Sequence, residues 1–514
     1  MLNKVLLDGA NLTLEQTVEV ARYDLEAKLS TEAQARVRAS RRTIEELLAE
    51  RRPVYGVTTG FGALSGTHIT PEDSVELQRN LIRSHCAGVG SSSETEVVRA
   101  TMLLRANTLA KGYSGIKLET LETLVEMINR HVHPVVPEKG SVGASGDLVP
   151  LAHVASVLMG EGAAEYQGSV MSGGEAMKKA GLRPVEFAAK EGLALINGTE
   201  FSKAMAVLAL SDGERLVVNA EIAGAMTLES LHGHLEAFDE RLHAVRPHDG
   251  QVRAAGDFRR LLSGSDLLTQ GATKEGGVHD PYSIRCMPQV IGAVRDALTY
   301  VSKTLLTEVN SATDNPLVFA SDSVCISGGN FHGQSVSIAS DVLSIALASV
   351  GNIAERRIAR LIDPKLNQGL PAFLVSKTGK EGLSSGFMMA QVVAASLASE
   401  NKVLAHPASV DSLPTSANFE DHVSMSALAA RKAREIVANV ERIVAIEFLC
   451  ASQALDLRGQ KALGKGTQAA FARIRTKIRP LTSDREISEE IETVASMIRS
   501  GEIVDAVEAS IGKL

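Results

Sequence analysis

The chain has 514 residues, with 53 Lys and Arg against 61 Asp and Glu, and a net charge of −8. That balance argues against a general nucleic-acid role. Hydrophobic residues make up 44% and aromatic residues 4%, with no Trp, a composition that favours packed helices in a soluble globular protein over a β-sandwich.

Cys86, Cys286, Cys325 and Cys450 stand far apart with no CxxC pair, which fits a reducing compartment. The N-terminus lacks a signal-peptide core, and no apolar run of about eighteen residues predicts a membrane span. A cytoplasmic protein with no membrane partner is expected.

In chain order, charged residues on one side and Val, Leu or Ile on the other predict helices over 12–29 and 31–51. Pro53-Val-Tyr-Gly-Val-Thr-Thr-Gly-Phe-Gly62 follows, a glycine-rich loop holding Tyr55. Further helical patterns run over 71–86, ending near Ser84-His85-Cys86, over 94–110 and over 118–129.

Gly140-Ser-Val-Gly-Ala-Ser-Gly-Asp147 then opens the apolar helical pattern Leu148-Val-Pro-Leu-Ala-His153. Its glycines reach backbone angles that other residues avoid, so a tight turn is expected at a helix N-terminus, where backbone N–H groups concentrate positive potential. Lacking a side chain, Gly146 can bring its nitrogen to the Ala144 carbonyl carbon. Attack there closes a five-membered ring. Loss of that carbonyl oxygen as water, and of the Ser145 hydroxyl as a second water, leaves an exocyclic alkene conjugated to the ring. The product is an electrophile made from the chain itself. In isolation Ala-Ser-Gly reads first as an ordinary loop, with Ser145 or Asp147 as N-cap; the rest of the chain reverses that order.

A short strand or hairpin is expected over Tyr166–Ser172, and a helix over 185–196 that ends at Ile196-Asn-Gly-Thr199. Beyond residue 200 apolar periodicity becomes long, over about 200–230, 287–310, 333–362, 384–405 and 422–457. A helix of about 35 residues is about 50 Å long, and such helices pack side by side in bundles. The expected division is a mixed N-terminal part, 1–200, and a long-helix bundle domain, 201–514.

The segments between the long runs are rich in Asn, Ser, Tyr, Arg and His. They are Gly276-Gly-Val-His-Asp-Pro-Tyr-Ser-Ile-Arg-Cys-Met-Pro-Gln289, Ala312-Thr-Asp-Asn-Pro316 with Ser327-Gly-Gly-Asn-Phe-His332, and Ala405–His422. Loops of this kind on a rigid scaffold suit a polar small-molecule pocket.

Gly143-Ala-Ser-Gly-Asp-Leu-Val-Pro-Leu-Ala-His153 resembles the signature of the histidine and phenylalanine ammonia-lyase family. So do Tyr55–Gly62, Leu195–Thr199, Asp280–Arg285, Ser311–Pro316, Gly328–His332 and Ala398–Ser412. Seven motifs in the expected order, from about residue 50 to 460, make the resemblance specific. It implies a mainly α, fumarase/aspartase-like long-helix bundle with a smaller mixed N-terminal part. It implies a homotetramer whose active sites draw on three subunits. It also implies that Ala144, Ser145 and Gly146 cyclise to a methylidene-imidazolone (MIO) electrophile, with no diffusible cofactor and no metal.

These enzymes remove ammonia from an α-amino acid together with the neighbouring β-hydrogen. The electrophile takes the substrate amine covalently. By resemblance, Tyr55 is the base for the β-proton. A free tyrosine titrates near 10, so action at about pH 7 costs roughly 4 kcal/mol of positive potential. Arg285 clamps the carboxylate with its planar fork, and Asn197 donates to the same group. Tyr282 is the second active-site tyrosine, Phe331 walls the pocket, and Glu420 contacts the amino group or the side chain.

Selectivity is expected to depend on the pair Ser84-His85, which follows the histidine type, with His85 bonding an imidazole ring. Phenylalanine- and tyrosine-type enzymes carry leucine at the second place. Three residues depart from the family pattern: His279, Met287 and Phe419 stand where glutamines are usual. They either re-specify the pocket or repack its surroundings.

The expected reaction is elimination of ammonia from L-histidine to urocanate, the alternative being a lyase or 2,3-aminomutase acting on tyrosine, phenylalanine or a related ring. A metal-dependent hydrolase built on His131-Val-His133 and His232-Gly-His234 is disfavoured, because no HExxH is present and an i, i+2 pair on a helix does not face one metal.

Overall fold

Five long helices dominate the computed structural model: Glu200–Ser230, Met287–Val309, Gln334–Ile362, Met388–Leu404 and Ser426–Arg458. Each coincides with an apolar run read from the sequence. The structure describes residues 4–50, 52–60, 62, 65–70, 72–269, 279–376, 382–459 and 462–514. Phe61 of the tyrosine loop and Gly276–Val278 lie outside the described residues.

Two compact units emerge. One comprises Met1–Ser211, Ser302–Asp341 and Pro407–Arg431; the other comprises Asp212–Val301, Val342–His406 and Lys432–Leu514. The first therefore holds all of the expected 1–200 part and adds two later segments that carry loop motifs.

In the first unit, the segment expected to be one helix over 12–29 is not. Thr13 caps Leu14–Arg22 with a complete capping box, and the helix stops before Asp24, which sits at φ +56°. Glu26–Leu29 is then a strand paired in parallel with Lys4–Leu7. Both strands alternate exposed and buried residues, the period-2 signal that four residues are too few to show beside a helical pattern. Ser30 caps the next helix, Thr31–Ala49. The helices Ser74–His85, Thr95–Ala110 and Leu118–Asn129 lie where expected. The hairpin also forms, as Ala163–Tyr166 paired with Ser169–Ser172.

The helix expected over 185–196 is confined to Glu191–Ile196. Lys190 takes a left-handed conformation at φ +74°, which blocks helix before it.

In the second unit, Glu447 is fully buried and takes both arms of the Arg357 fork, from Nε at 2.5 Å and from Nη2 at 2.7 Å, plus the Thr227 hydroxyl at 2.8 Å. Among the described helices, Gln334–Ile362 is long and apolar enough to cross a membrane by length and composition, against the expectation of no such run; most of its apolar window is buried in the protein.

Candidate active site

The turn at 140–147 meets the starts of four helices, all within the first unit. Asp147 immediately precedes Leu148–Leu158. Gly146 pairs with Gly198 as an isolated parallel bridge, and Asp147 N–H donates to Gly198 O at 2.6 Å, two residues before Glu200–Ser230 begins. Gly333 N–H, just ahead of Gln334–Ile362, donates to Gly143 O at 3.2 Å, and the Ser424 hydroxyl donates to the same oxygen at 2.9 Å. Met425 N–H, just ahead of Ser426–Arg458, donates to Val142 O at 2.8 Å. Helix N-termini carry partial positive charge, so four of them converging here favour negative charge as it develops on the turn.

The glycines are structural requirements. Gly143 and Gly146 hold φ +69° and +67°. A Cβ on Gly146 would lie 2.1 Å from Gly198 O, and one on Gly143 would lie 2.2 Å from Ser424 Oγ. Such a pinched backbone, with Ala144 and Gly146 buried and Ser145 partly exposed, fits the intrachain ring closure that the sequence permits.

Asp147 stands at the N-cap position but makes no cap bond to its own helix. Its Oδ1 accepts from the Ser141 hydroxyl at 2.7 Å, and its Oδ2 accepts from Ser202 N–H at 2.7 Å. Burial pushes its carboxyl up to about 6, against the pull of these donors. An acid whose folded pKa is raised contributes its full stability below its unfolded value near 4 and loses it as pH rises through about 6. Two units correspond to about 3 kcal/mol. Asp147→Asn, which mimics the protonated carboxyl, is therefore expected to remove about 3 kcal/mol of decline in stability between about pH 4 and pH 7. Urea unfolding at the two pH values checks this; an unchanged difference between them would show that Asp147 stays ionised.

A cavity of about 610 Å³ opens beside the turn, lined by Tyr55, His85, Ala144, Ser145, Asn197, Phe331, Phe419 and Glu420 among others. Eight of the thirteen residues expected at the site thus share one cavity wall within the first unit. Gly146 lies next to them in the turn.

Glu420 is braced on a short strap. Thr415 and Glu420 pair backbone to backbone, with Ser416, Ala417 and Asn418 at positive φ between them. Its Oε2 accepts from the Thr415 hydroxyl at 2.7 Å, and its Oε1 accepts from the Ser145 hydroxyl at 3.0 Å. Tyr55 is anchored by Gly62 N–H, which donates to its Oη at 3.0 Å.

His85 ends the Ser74–His85 helix, and its Nδ1 lies 2.8 Å from Leu81 O. A carbonyl only accepts, so Nδ1 carries the proton and Nε2 of the neutral ring is an acceptor. Burial pulls this imidazole below the ordinary histidine value, against the Leu81 carbonyl and Glu420.

Asn197 is held by its side chain. Its Nδ2 donates to Asp314 Oδ1 at 3.3 Å and to Asn315 O at 3.0 Å. Both amide protons are thus engaged with protein, and Oδ1 is buried with no hydrogen-bond partner among the described residues.

His279, Tyr282, Arg285 and Met287 belong to the second unit. There the Arg285 guanidinium lies over the Tyr282 ring, 4.8 Å from its centroid. Tyr282 is 70% exposed. His279 is exposed, and Met287 is fully buried against Gly224, where an added Cβ would meet its sulfur at 2.7 Å. Of the three departures from the family pattern, Phe419 lines the cavity.

Several partners escaped the sequence reading. Ser141, Ser202, Thr415, Asp314 and Asn315 act on the site through other residues. His332 stacks on His422 at the cavity wall, with ring centroids 5.7 Å apart. Ser141, Thr415, Asp314 and Asn315 sit inside quoted segments, the signal that was available; Ser202 carried none. The His131 and His133 pair faces the Arg99 cation, at 3.2 Å from each ring, with His133 also bonded to Glu165. His232 and His234 engage Leu267 O and Asp280.

The chain matches the family model described as aromatic amino acid lyase over residues 12–476. It is 53% identical over 511 residues to a histidine ammonia-lyase from Alkaliphilus oremlandii, covering 99% of each chain. The structure resembles that of histidine ammonia-lyase from Trypanosoma cruzi at 42% identity and TM-score 0.91, covering 99% of this chain and 96% of that one. It resembles tyrosine aminomutase from Streptomyces globisporus at 37% identity and TM-score 0.95, covering 99% of each.

Proposed function

Because this chain belongs to the aromatic amino acid lyase family, we propose that it eliminates ammonia from L-histidine to give urocanate, with a methylidene-imidazolone built from Ala144, Ser145 and Gly146. The fold is the fumarase/aspartase-like helical fold of that family.

The methylidene-imidazolone supplies an electrophilic carbon that makes the amino group a better leaving group. The rest of the work falls to side chains and helix ends. The four helix N-termini around 142–147 favour the negative charge that develops there. Tyr55, anchored through its Oη, takes the β-proton. Glu420 meets the amino group beside Ser145, and Phe331 and Phe419 wall off water. Arg285 forks onto the carboxylate and Tyr282 relays a proton. In a cytoplasmic homotetramer with shared sites, these two serve a neighbouring copy, which the exposure of Tyr282 supports.

The observation that carries the substrate is His85. A neutral ring with Nδ1–H committed to Leu81 O offers Nε2 to a donor, and an imidazole N–H is such a donor where a phenyl ring has none. Ultraviolet assays of the purified protein against L-histidine, L-tyrosine and L-phenylalanine are expected to show histidine turnover. His85→Leu is expected to lower kcat/KM for histidine roughly tenfold to a hundredfold, the scale of a lost hydrogen bond to a buried polar group. Phe419 at the cavity wall and the likeness to tyrosine aminomutase favour the second reading, a lyase or aminomutase for an aromatic ring. Silence on histidine with turnover of tyrosine or phenylalanine would establish it.

A further inference from the structure

Gly198 sits between the turn and a buried ion pair, all within the first unit. On one side its peptide lies flush against Gly146. A Cβ on Gly146 would fall 2.1 Å from Gly198 O and 2.6 Å from Gly198 Cα, and Gly198 O accepts the Asp147 N–H at 2.6 Å. On the other side, a Cβ on Gly198 would fall 2.3 Å from Arg105 Nη1 and 2.4 Å from Glu200 Oε2. Those two atoms are bonded to each other at 2.9 Å, and Nη1 also donates at 3.1 Å to Asn197 O, the carbonyl of the peptide that leads into Gly198.

The pair has little room to move. Both side chains are buried. Glu200 Oε1 accepts from the Thr108 hydroxyl at 2.9 Å and the Thr313 hydroxyl at 2.7 Å, with Lys203 Nζ 3.2 Å away. Arg105 Nε and Nη2 are buried with no hydrogen-bond partner among the described residues. Among those residues the guanidinium therefore bonds only through Nη1, the nitrogen that lies against Gly198.

Ring closure needs the Gly146 nitrogen at the Ala144 carbonyl carbon. The N–C bond forms there, and the former carbonyl oxygen leaves as water with the Gly146 and Ser145 amide protons, which makes the Ser145 N=C bond. The second water takes the Ser145 hydroxyl and the Ser145 Cα hydrogen and leaves the exocyclic alkene. No oxidant enters, so the step depends on placement, where a shift of about 1 Å can cost about a hundredfold in rate.

We propose that Arg105 and Glu200 are positioning residues for this self-modification: the buried pair presses Gly198 onto Gly146 and so holds the Gly146 nitrogen at the Ala144 carbonyl. This rests on the methylidene-imidazolone reading above and adds to it the residues outside the turn that drive the closure.

The test follows intact mass over time after cell-free synthesis of the full-length chain is stopped, with denaturant midpoints of the purified proteins beside it. The unaltered protein is expected to become two waters lighter than its sequence predicts. Arg105→Met/Glu200→Gln removes one buried charge of each sign together, so it is expected to fold and to lose its waters about a hundredfold more slowly. Arg357→Met, a destabilising change in the second unit, is expected to lose both waters at the unaltered rate. If the double variant does not fold, Thr108→Val/Thr313→Val decides. It keeps both charges, removes two donors to Glu200 Oε1, and is expected to slow the loss about tenfold. A folded variant that loses both waters at the unaltered rate reduces the pair to a structural role and overturns the proposal, as does equal slowing in Arg357→Met. An unaltered protein that stays at its sequence mass overturns the ring reading, and this proposal with it.

Discussion

Ser145→Ala is expected to lose at most the one water of ring closure, whereas the unaltered protein should be two waters lighter than its sequence predicts. The hydroxyl is the only group on that residue able to leave as the second water. Its neighbours already suit the reaction: Oγ donates to Glu420, and the flanking glycines sit at angles that a side chain would not tolerate. Turnover should fall roughly a thousandfold or more, the scale on which loss of a covalent catalytic group acts. The fold should survive, because Glu420 keeps its bond from Thr415 and the turn keeps its bonds to Gly198, Gly333 and Ser424. Intact mass spectrometry with a parallel assay checks this. A fully active variant that has not lost the second water would remove the turn from the mechanism altogether.

Arg357→Met is expected to destabilise the protein by about 3–5 kcal/mol, because it leaves the fully buried Glu447 without its cation. Thr227 would be the carboxylate's remaining named donor. The double variant Arg357→Met/Glu447→Met, of similar bulk and without charge, should recover most of that loss. Denaturant midpoints for the two variants decide between a lost attraction and an uncompensated charge; equal losses in both would point to packing around Gly224 and Met287 instead.

The long helices were legible because their apolar period persists over twenty residues or more, which no loop imitates. The cavity wall was legible through motifs, since Tyr55, His85, Ser145, Asn197, Phe331 and Glu420 come from segments far apart in sequence and meet at one place. What stayed hidden was local and short. Four-residue strands such as Glu26–Leu29 do not outvote a neighbouring helical pattern. A single left-handed residue, Lys190, truncates a helix without any glycine to announce it. The direction of an amide was hidden too. The sequence names Asn197 but not which of its ends is engaged, because that depends on Asp314, more than a hundred residues away. Nor does sequence show that Lys190 and Asp314 are buried as a pair, since each residue type is ordinarily solvated.

The contacts that hold the 142–147 turn come from chain that follows it. Gly198 and Ser202 lie before the middle, Gly333 lies past it, and Ser424 and Met425 lie in the last fifth. A ribosome must therefore release most of the polypeptide before the turn can be gripped from every side. The geometry suited to self-modification is thus a property of the finished molecule, and a fragment ending before residue 424 would carry the same Ala-Ser-Gly tripeptide as an inert loop.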